Sequence, residues 1–314
     1  MNKRILSILI IIIFNINFVA CGANKKQRHE AEFLLLFDIY NDYEGINNIK
    51  TINDNAGISP VKVDKKIVDL LKFSKLEYEN SNGKFNIAFG SVLEIWHKYR
   101  EKGIENPENA SLPTMQELKS AEQHTEIDNI IIDENASTVY LADSQMSIDV
   151  GAIAKGYATE QVCQLAIENG YTSGLVSVGG NIRAIGNKDE NGSAWNVGIQ
   201  NPNNEHSNKI IYTTLLTNKS LVTSGDYQRY YVVDGKKYNH IIDPDTLMPA
   251  EYFKSVTIIC EDSGKADSLS TIVFNMPFEE GLEYINNIPD TEAVWVLQDD
   301  SIKYSENFED YIMN

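Results

Sequence analysis

Apolar positions at Val68, Leu70, Leu71, Phe73 and Leu76 recur at helical spacing behind Asp64, a residue suited to an N-cap. The pattern predicts a helix there, broken by Ser81-Asn82-Gly83. Phe33 to Tyr43 has helical character and ends at Asn41, Asp42 and Gly45. Two more helices are predicted over Phe89 to Lys102 and, after Pro113, over Met115 to Glu122. The period then shortens. Asn129 to Asp133 and Thr138 to Leu141 flank a polar turn and predict a hairpin. Ile148 leads into a helix from Ala154 to Glu168, closed by Asn169-Gly170, and Gly174 to Val178 reads as a strand, giving strand–helix–strand. Arg229 to Val233 and Lys236 to Ile242 surround Asp234-Gly235, a two-residue hairpin turn. A last helix starts near Ala266, and Ala293 to Leu297 is the final strand. Hairpins mixed with helices, without strict alternation, predict an α+β fold.

Composition narrows the possibilities. The chain has 314 residues, 45 acidic against 27 basic, and a net charge of −18. A nucleic-acid partner needs a basic face, which this balance argues against. At the N-terminus, Lys3 and Arg4 precede an apolar run from Ile5 to Phe14 that is shorter than the roughly 20 residues a transmembrane helix needs. Residues 1–20 therefore read as an export signal. Phe18-Val19-Ala20-Cys21 resembles the lipobox of bacterial lipoproteins, which makes Cys21 the expected lipidated residue; an ordinary secretory signal is the alternative. Residues 21–32 then form a tether, and 33–314 one domain. Cys163 and Cys260 read as buried small hydrophobes rather than a bridge.

Four stretches carry chemistry. Ser147 to Tyr157 places Asp149 before a glycine turn and Lys155 in the first turn of a helix. Free N–H groups and an ammonium there suit a phosphate, though a tight turn explains the same residues. Val178-Gly179-Gly180-Asn181-Ile182-Arg183 permits close backbone approach to a ligand, or is a plain turn. His240, after the Asp234-Gly235 hairpin, is a candidate proton acceptor, and Thr223-Ser224-Gly225-Asp226 adds hydroxyls and a carboxylate upstream. Asp267 and Thr271 stand four apart on one helix face and offer hard oxygen ligands suited to Mg²⁺; an acid at a helix start is the structural alternative.

In this order and spacing these segments resemble the FAD:protein FMN transferases, the ApbE family. The resemblance runs from about Phe37 to Trp295 and rests on Asp149 to Tyr157, Gly179 to Arg183, Thr223 to Tyr227, His240 to Thr246 and Ala266 to Thr271. It implies two mixed lobes with largely antiparallel sheets and a flavin cleft between them. It implies FAD contacts at Tyr40, Lys84, Phe85, Asn86, Asp149, Lys155 and Ile241, and His240 as the base. It further implies Mg²⁺ held by Asp267, Ser270, Thr271 and the Ala152 carbonyl. The reaction implied moves FMN from FAD to a Thr or Ser hydroxyl of an extracytoplasmic acceptor flavoprotein, with AMP leaving. The enzyme would be lipid-anchored at Cys21 on the outer face of the membrane.

Three departures from the family pattern stand out. Leu247 replaces a glycine, so its turn is expected to close differently. Asn86 replaces a common aspartate. Only Gly22 to Leu36 lie where relatives carry a strand and most of a helix, which reads as a shortened form with weakened flavin binding. Two other activities remain compatible with the same residues: an Mg²⁺-dependent FAD pyrophosphatase and a non-catalytic flavin-binding lipoprotein.

Overall fold

The structure is a computed structural model and describes residues 33, 35–203 and 209–313. Cys21, the export signal and the shortened segment before residue 33 lie outside them. The helix expected from Phe33 to Tyr43 stops at Phe37, because the Asp38 carboxylate takes over the chain's hydrogen bonding. It accepts the N–H groups of Tyr40 and Asn41 at 2.7 and 3.0 Å and the Tyr43 hydroxyl at 2.6 Å. This turn carries Tyr40 into solvent, 61% exposed.

Asn48 and Thr51 form a capping box at the start of α1 (Ile49–Asp54). β1 (Val61–Lys62) follows, and Asp64 caps α2 (Lys65–Asn80) by accepting the Lys66 N–H at 2.8 Å. α3 (Gly90–Glu105) and α4 (Met115–Glu122) come next, the latter opened by a Thr114–Glu117 capping box. β2 (Ile130–Asp133) and β3 (Thr138–Leu141) pair as expected, and β1 joins β3 to complete a three-stranded antiparallel sheet. α5 (Ala154–Glu168) closes at Gly170, whose φ of 84° is left-handed.

The largest sheet is antiparallel. It uses β4 (Gly174–Val178), β5 (Asn181–Ile185), β8 (Ser220–Gly225), β11 (Phe253–Cys260), β12 (Glu292–Leu297) and β13 (Ile302–Tyr304), in the order β13-β12-β11-β8-β5-β4. Alternate residues serve opposite faces, as the two-residue period of a strand requires. Val222, Val256, Ile258 and Trp295 share a core with helices α5, α6 (Ser263–Phe274) and α7 (Phe278–Asn286). Leu221, Ile259 and Val294 point the other way, onto the hairpin of β6 (Trp195–Gln200) and β7 (Ile210–Leu216). The remaining hairpin, β9 (Tyr230–Val233) with β10 (Lys236–Asn239), turns through Asp234 and Gly235 at φ 49° and 80°. It packs under α3 and α4 around Trp96, Leu118 and Tyr231. Cys163 and Cys260 are both buried, and neither is in a disulfide among the described residues.

Several sequence expectations need correction. The stretch before α5 is no sheet strand; only an isolated bridge joins Phe89 to Ser147. α6 begins at Ser263 rather than Ala266, capped by Asp262, which accepts the Lys265 N–H at 2.8 Å. It is not the last helix, because α7 follows, and β13 rather than β12 is the last strand. β10 ends at Asn239, so His240 leads out of the hairpin instead of lying within it.

Leu247 also departs from expectation. It adopts φ 60°, the left-handed conformation a glycine would take, and its N–H donates to the Asp243 carbonyl at 2.9 Å. The turn is thus kept, at about 1–2 kcal/mol of backbone strain. Its side chain is buried beside Trp96 and Ile242, and its carbonyl accepts the Trp96 indole N–H at 3.0 Å. Burial outweighs strain here. Leu247→Gly is expected to lower unfolding free energy by about 1–3 kcal/mol in denaturant titration, because losing a buried leucine costs about 2–5 kcal/mol. A stabilised glycine variant would refute this balance.

Candidate functional site

Long-range hydrogen bonds, rather than a sheet, position the segment that leads into α5. The Asn53 side chain accepts the Ile148 N–H at 2.8 Å and donates to the Ile148 carbonyl at 2.9 Å. The Asp149 N–H donates to the Ile87 carbonyl at 2.9 Å, and Gly90 N–H to the Ser147 carbonyl at 3.1 Å. Asp149 Oδ1 then accepts the Gly151 N–H at 2.7 Å, folding the turn that aims the start of α5.

At that start α5 meets α6. The Gly156 N–H donates to Asp267 Oδ2 at 2.8 Å, and Lys155 Nζ lies 3.5 Å from Asp267 Oδ1. In an uninterrupted helix the Gly156 N–H would bind the Ala152 carbonyl. Its diversion to Asp267 leaves that carbonyl clear of the helix ladder. Gly156 is required by the contact itself: a Cβ there would stand 2.2 Å from the Ser263 carbonyl oxygen and 2.5 Å from Asp267 Cβ. Gly156→Ala should therefore push α5 off α6, costing about 1–3 kcal/mol and weakening FAD binding. Thermal unfolding and a flavin titration check both, and an alanine variant matching the parent in both would disprove the contact.

A buried ion pair braces the same junction from behind. Glu160 Oε2 accepts Arg183 Nε at 3.1 Å and the Ser263 N–H at 2.9 Å, linking α5 to β5 and to the first turn of α6. Arg183, part of the Gly-Gly motif, is therefore scaffold. Ser270 hydroxyl donates to the Asp267 carbonyl at 2.8 Å, so the Ser224 hydroxyl, 2.8 Å away, donates to it. The β5–β8 register pairs Ile182 with Leu221 and Arg183 with Ser220. Asn181, the first residue of β5, is buried with an unpartnered Nδ2.

His240 stands where three cations converge. The β9–β10 pairing ends at Asn239 with Tyr230, and His240 and Arg229 are the next residues beyond it. Burial, together with the charges of Arg229, Arg100 and Lys155, pushes its pKa down to about 3. The ring is neutral at physiological pH, and its Nδ1 is sealed from solvent without a hydrogen-bond partner. α3 lies across the hairpin, with Gly103 against the Tyr231 ring. His97, one turn before Arg100, meets the Tyr40 hydroxyl at 3.0 Å through Nδ1.

The structure thus joins Lys155, Asp267 and Ser270 at one junction, and the Lys155 charge is among those that act on His240. Tyr40 and Asp149 belong to the same electrostatic neighbourhood, since both act on His97 or Arg100. The remaining expected flavin contacts have these partners within the chain. Lys84 Nζ is held by Asp245 Oδ2 at 2.7 Å and Asp243 Oδ1 at 3.6 Å, so it clamps the loop that follows His240. Phe85 is core. Asn86 accepts the Ala88 N–H at 2.8 Å and donates to the Thr125 carbonyl at 3.0 Å, a donation that an ionised aspartate cannot make. Ile241 is buried, with its N–H on Asn239 Oδ1 at 2.8 Å. Sequence reasoning missed His97, Arg100 and Arg229.

Among the described residues no group of three or more His, Cys, Asp or Glu gathers as a metal cluster. Asp267 and Ser270 are joined through the Ser270 hydroxyl on the Asp267 backbone carbonyl, and Thr271 lies one turn beyond Asp267 on the same helix. Few protein oxygens with room for water and phosphate is a donor set that fits Mg²⁺.

Relatives share both fold and sequence. The ApbE family profile matches residues 11–295. An FAD:protein FMN transferase of Treponema pallidum is 32% identical over 277 residues, covering 84% of this chain and 74% of the relative. One from Klebsiella pneumoniae is 28% identical over 257 residues, covering 82% and 77%. The crystal structure of the ApbE protein from Thermotoga maritima superposes with a TM-score of 0.79 at 31% identity, covering 92% of this chain and 90% of that one. The Vibrio cholerae flavin transferase ApbE, at 23% identity and a TM-score of 0.74 with 91% and 88% covered, shares the fold. With a family match over most of its length and a relative above 30% identity, this chain belongs to the ApbE family.

Proposed function

We propose that this protein is an FAD:protein FMN transferase that attaches FMN through a phosphodiester to a Thr or Ser hydroxyl of an acceptor flavoprotein. The acceptor oxygen forms a bond to the FMN-side phosphorus of FAD, the P–O bond to AMP breaks, and AMP leaves with the electron pair. The observation that carries this reading is the junction of Lys155 and Asp267 at the start of α5, with a histidine held neutral on which the Lys155 charge acts. His240 takes the proton of the attacking hydroxyl, and its ring needs no prior deprotonation at neutral pH. Lys155 faces the pyrophosphate and offsets charge that develops on it. Asp267, Thr271, Ser270 and the Ala152 carbonyl would hold Mg²⁺, which supplies charge neutralisation to the phosphate oxygens when bound.

The acidic residues elsewhere on the surface do not oppose this, because the cations that matter are local. Export and lipid attachment at Cys21 would place the enzyme outside the cytoplasmic membrane, where an acceptor of an extracytoplasmic electron-transfer system would meet it. The supporting features are Lys3, Arg4, the apolar run and the lipobox-like segment. The test is incubation with FAD, Mg²⁺ and a flavoprotein acceptor, following acceptor mass and AMP together. One FMN gained per AMP released supports transfer. Free FMN with an unmodified acceptor would make the protein a pyrophosphatase, and neither product would leave it a flavin binder.

A further inference from the structure

We propose that the cavity between α2, α6 and α7 is a binding site for a small zwitterion of the α-amino acid class. It has a volume of about 250 Å³, below the roughly 300–1,000 Å³ of sites for drug-sized ligands. Glu77, Asn80, Lys265 and Tyr284 line it with polar groups, and Leu269 and Ile288 are its apolar wall. Glu77 is out of place for a packing residue. The buried face of α2 runs through Ile67, Leu70, Leu71 and Ser74 to Glu77, which is only 4% exposed. A carboxylate on such a face costs free energy unless it is compensated. Compensation within the chain is partial. The Ser268 hydroxyl stands 2.7 Å from Glu77 Oε2 but also 2.9 Å from the Lys265 carbonyl, and its single proton is shared between them. Burial pushes the Glu77 pKa up, against the Ser268 hydrogen bond and the Lys265 charge.

The cavity has two electrical ends. Glu77 and Lys265 both line it, yet they form no ion pair with each other within 4.0 Å. α2 ends at Asn80, and Asn287, which caps the C-terminus of α7, lines the same cavity. Two helix C-termini, each carrying partial negative charge, therefore border the cavity that Glu77 lines. The Tyr284 hydroxyl donates to the Asn80 carbonyl at 3.4 Å and ties these two ends together. Lys265 stands in the first turn of α6, at the positive end of that helix. An ammonium is favoured at the Glu77 end and a carboxylate at Lys265, while Leu269 and Ile288 receive an aliphatic side chain. That charge pattern and that size are those of an α-amino acid. The site is separate from the junction with α5, because α6 sends Asp267 to the Gly156 N–H and Ser268 to Glu77.

Calorimetry on the full chain tests the site with L-leucine, isoamylamine and isocaproate, the last two being leucine without its carboxylate and without its ammonium. Leucine should bind at one site per chain, and each half-molecule should bind about tenfold or more weaker. Glu77→Gln keeps an acceptor for Ser268 and should weaken leucine and isoamylamine by about tenfold or more, with isocaproate bound no more weakly. Lys265→Met, at a half-buried position, should weaken leucine and isocaproate while sparing isoamylamine, and it decides the matter if Glu77→Gln fails to fold. The absence of saturable leucine binding overturns the site. So does leucine affinity unchanged in Lys265→Met, or isoamylamine bound as tightly as leucine. None of these outcomes depends on the transferase reading.

Discussion

Replacing His240 with alanine lowers turnover by about 10²–10⁴-fold, the usual cost of removing a general base, and leaves FAD affinity nearly unchanged. The ring is neutral, so it contributes no charge to holding the pyrophosphate. Its depressed pKa, about 3 against an ordinary 6.5, also sets the pH behaviour. From pH 5 to 8 the free enzyme already carries the base form, and kcat/KM should show no rise attributable to this residue. Stability gives a second reading with a definite sign. Between pH 6.5 and 3 the unfolded chain binds a proton at His240 that the folded chain does not, so stability falls as pH drops through that window. His240→Ala should flatten the slope of unfolding free energy there. Equal losses of FAD binding and turnover would make His240 a positioning residue. An unchanged acid slope would show that the ring is not held neutral.

Much of the architecture was legible because short-range signals coincided with long-range packing. α4 and α5 begin and end where the sequence placed them: Thr114 with Glu117 closes a capping box, and Asn169-Gly170 supplies a left-handed stop. α6 was placed three residues late, because Gly264 weakens a helical reading while the Asp262 cap outweighs it. α7 was missed although Pro277, Glu279 and Glu280 mark its start. The segment at Ile148 looked like a strand because it is apolar. Its partners are Asn53, Ile87 and Gly90, which no local pattern joins to it. Leu247 shows the converse: local preference argued against a left-handed turn there, and burial overrode it.

The site divides the same way. Lys155 and Asp267 could be singled out because each sits in a recognisable motif, Lys155 in the first turn of α5 and Asp267 in the second turn of α6. Their meeting depends on Gly156, which permits two helices to approach, and that approach is tertiary. Lys84 was read as a flavin contact from its motif; the structure couples it to Asp243 and Asp245 across the chain. Arg100 carries no motif, and the packing of α3 on the β9–β10 hairpin is tertiary.

Asp267→Asn separates catalysis from scaffolding in a way that Asp267→Ala cannot. The carboxylate is only 4% exposed and is part of the packed contact between α5 and α6. Oδ2 holds the Gly156 N–H, and Oδ1 faces Lys155. Alanine leaves that buried N–H without an acceptor, at about 1–3 kcal/mol, and loosens the start of α5. Asparagine still offers a carbonyl oxygen to Gly156 but removes the negative charge that a hard divalent cation requires. The asparagine variant should therefore unfold near the parent's midpoint while turnover falls by about 10²–10³-fold, a loss typical of removing one preorganised electrostatic group. The parent should lose activity in EDTA and regain it with Mg²⁺; the asparagine variant should need far more Mg²⁺ for any recovery. Because Lys155 also loses its counter-charge, FAD binding measured without metal should hold steady or tighten slightly in the variant. Full turnover of Asp267→Asn in EDTA would remove Asp267 from any metal role and leave it as the clasp between α5 and α6.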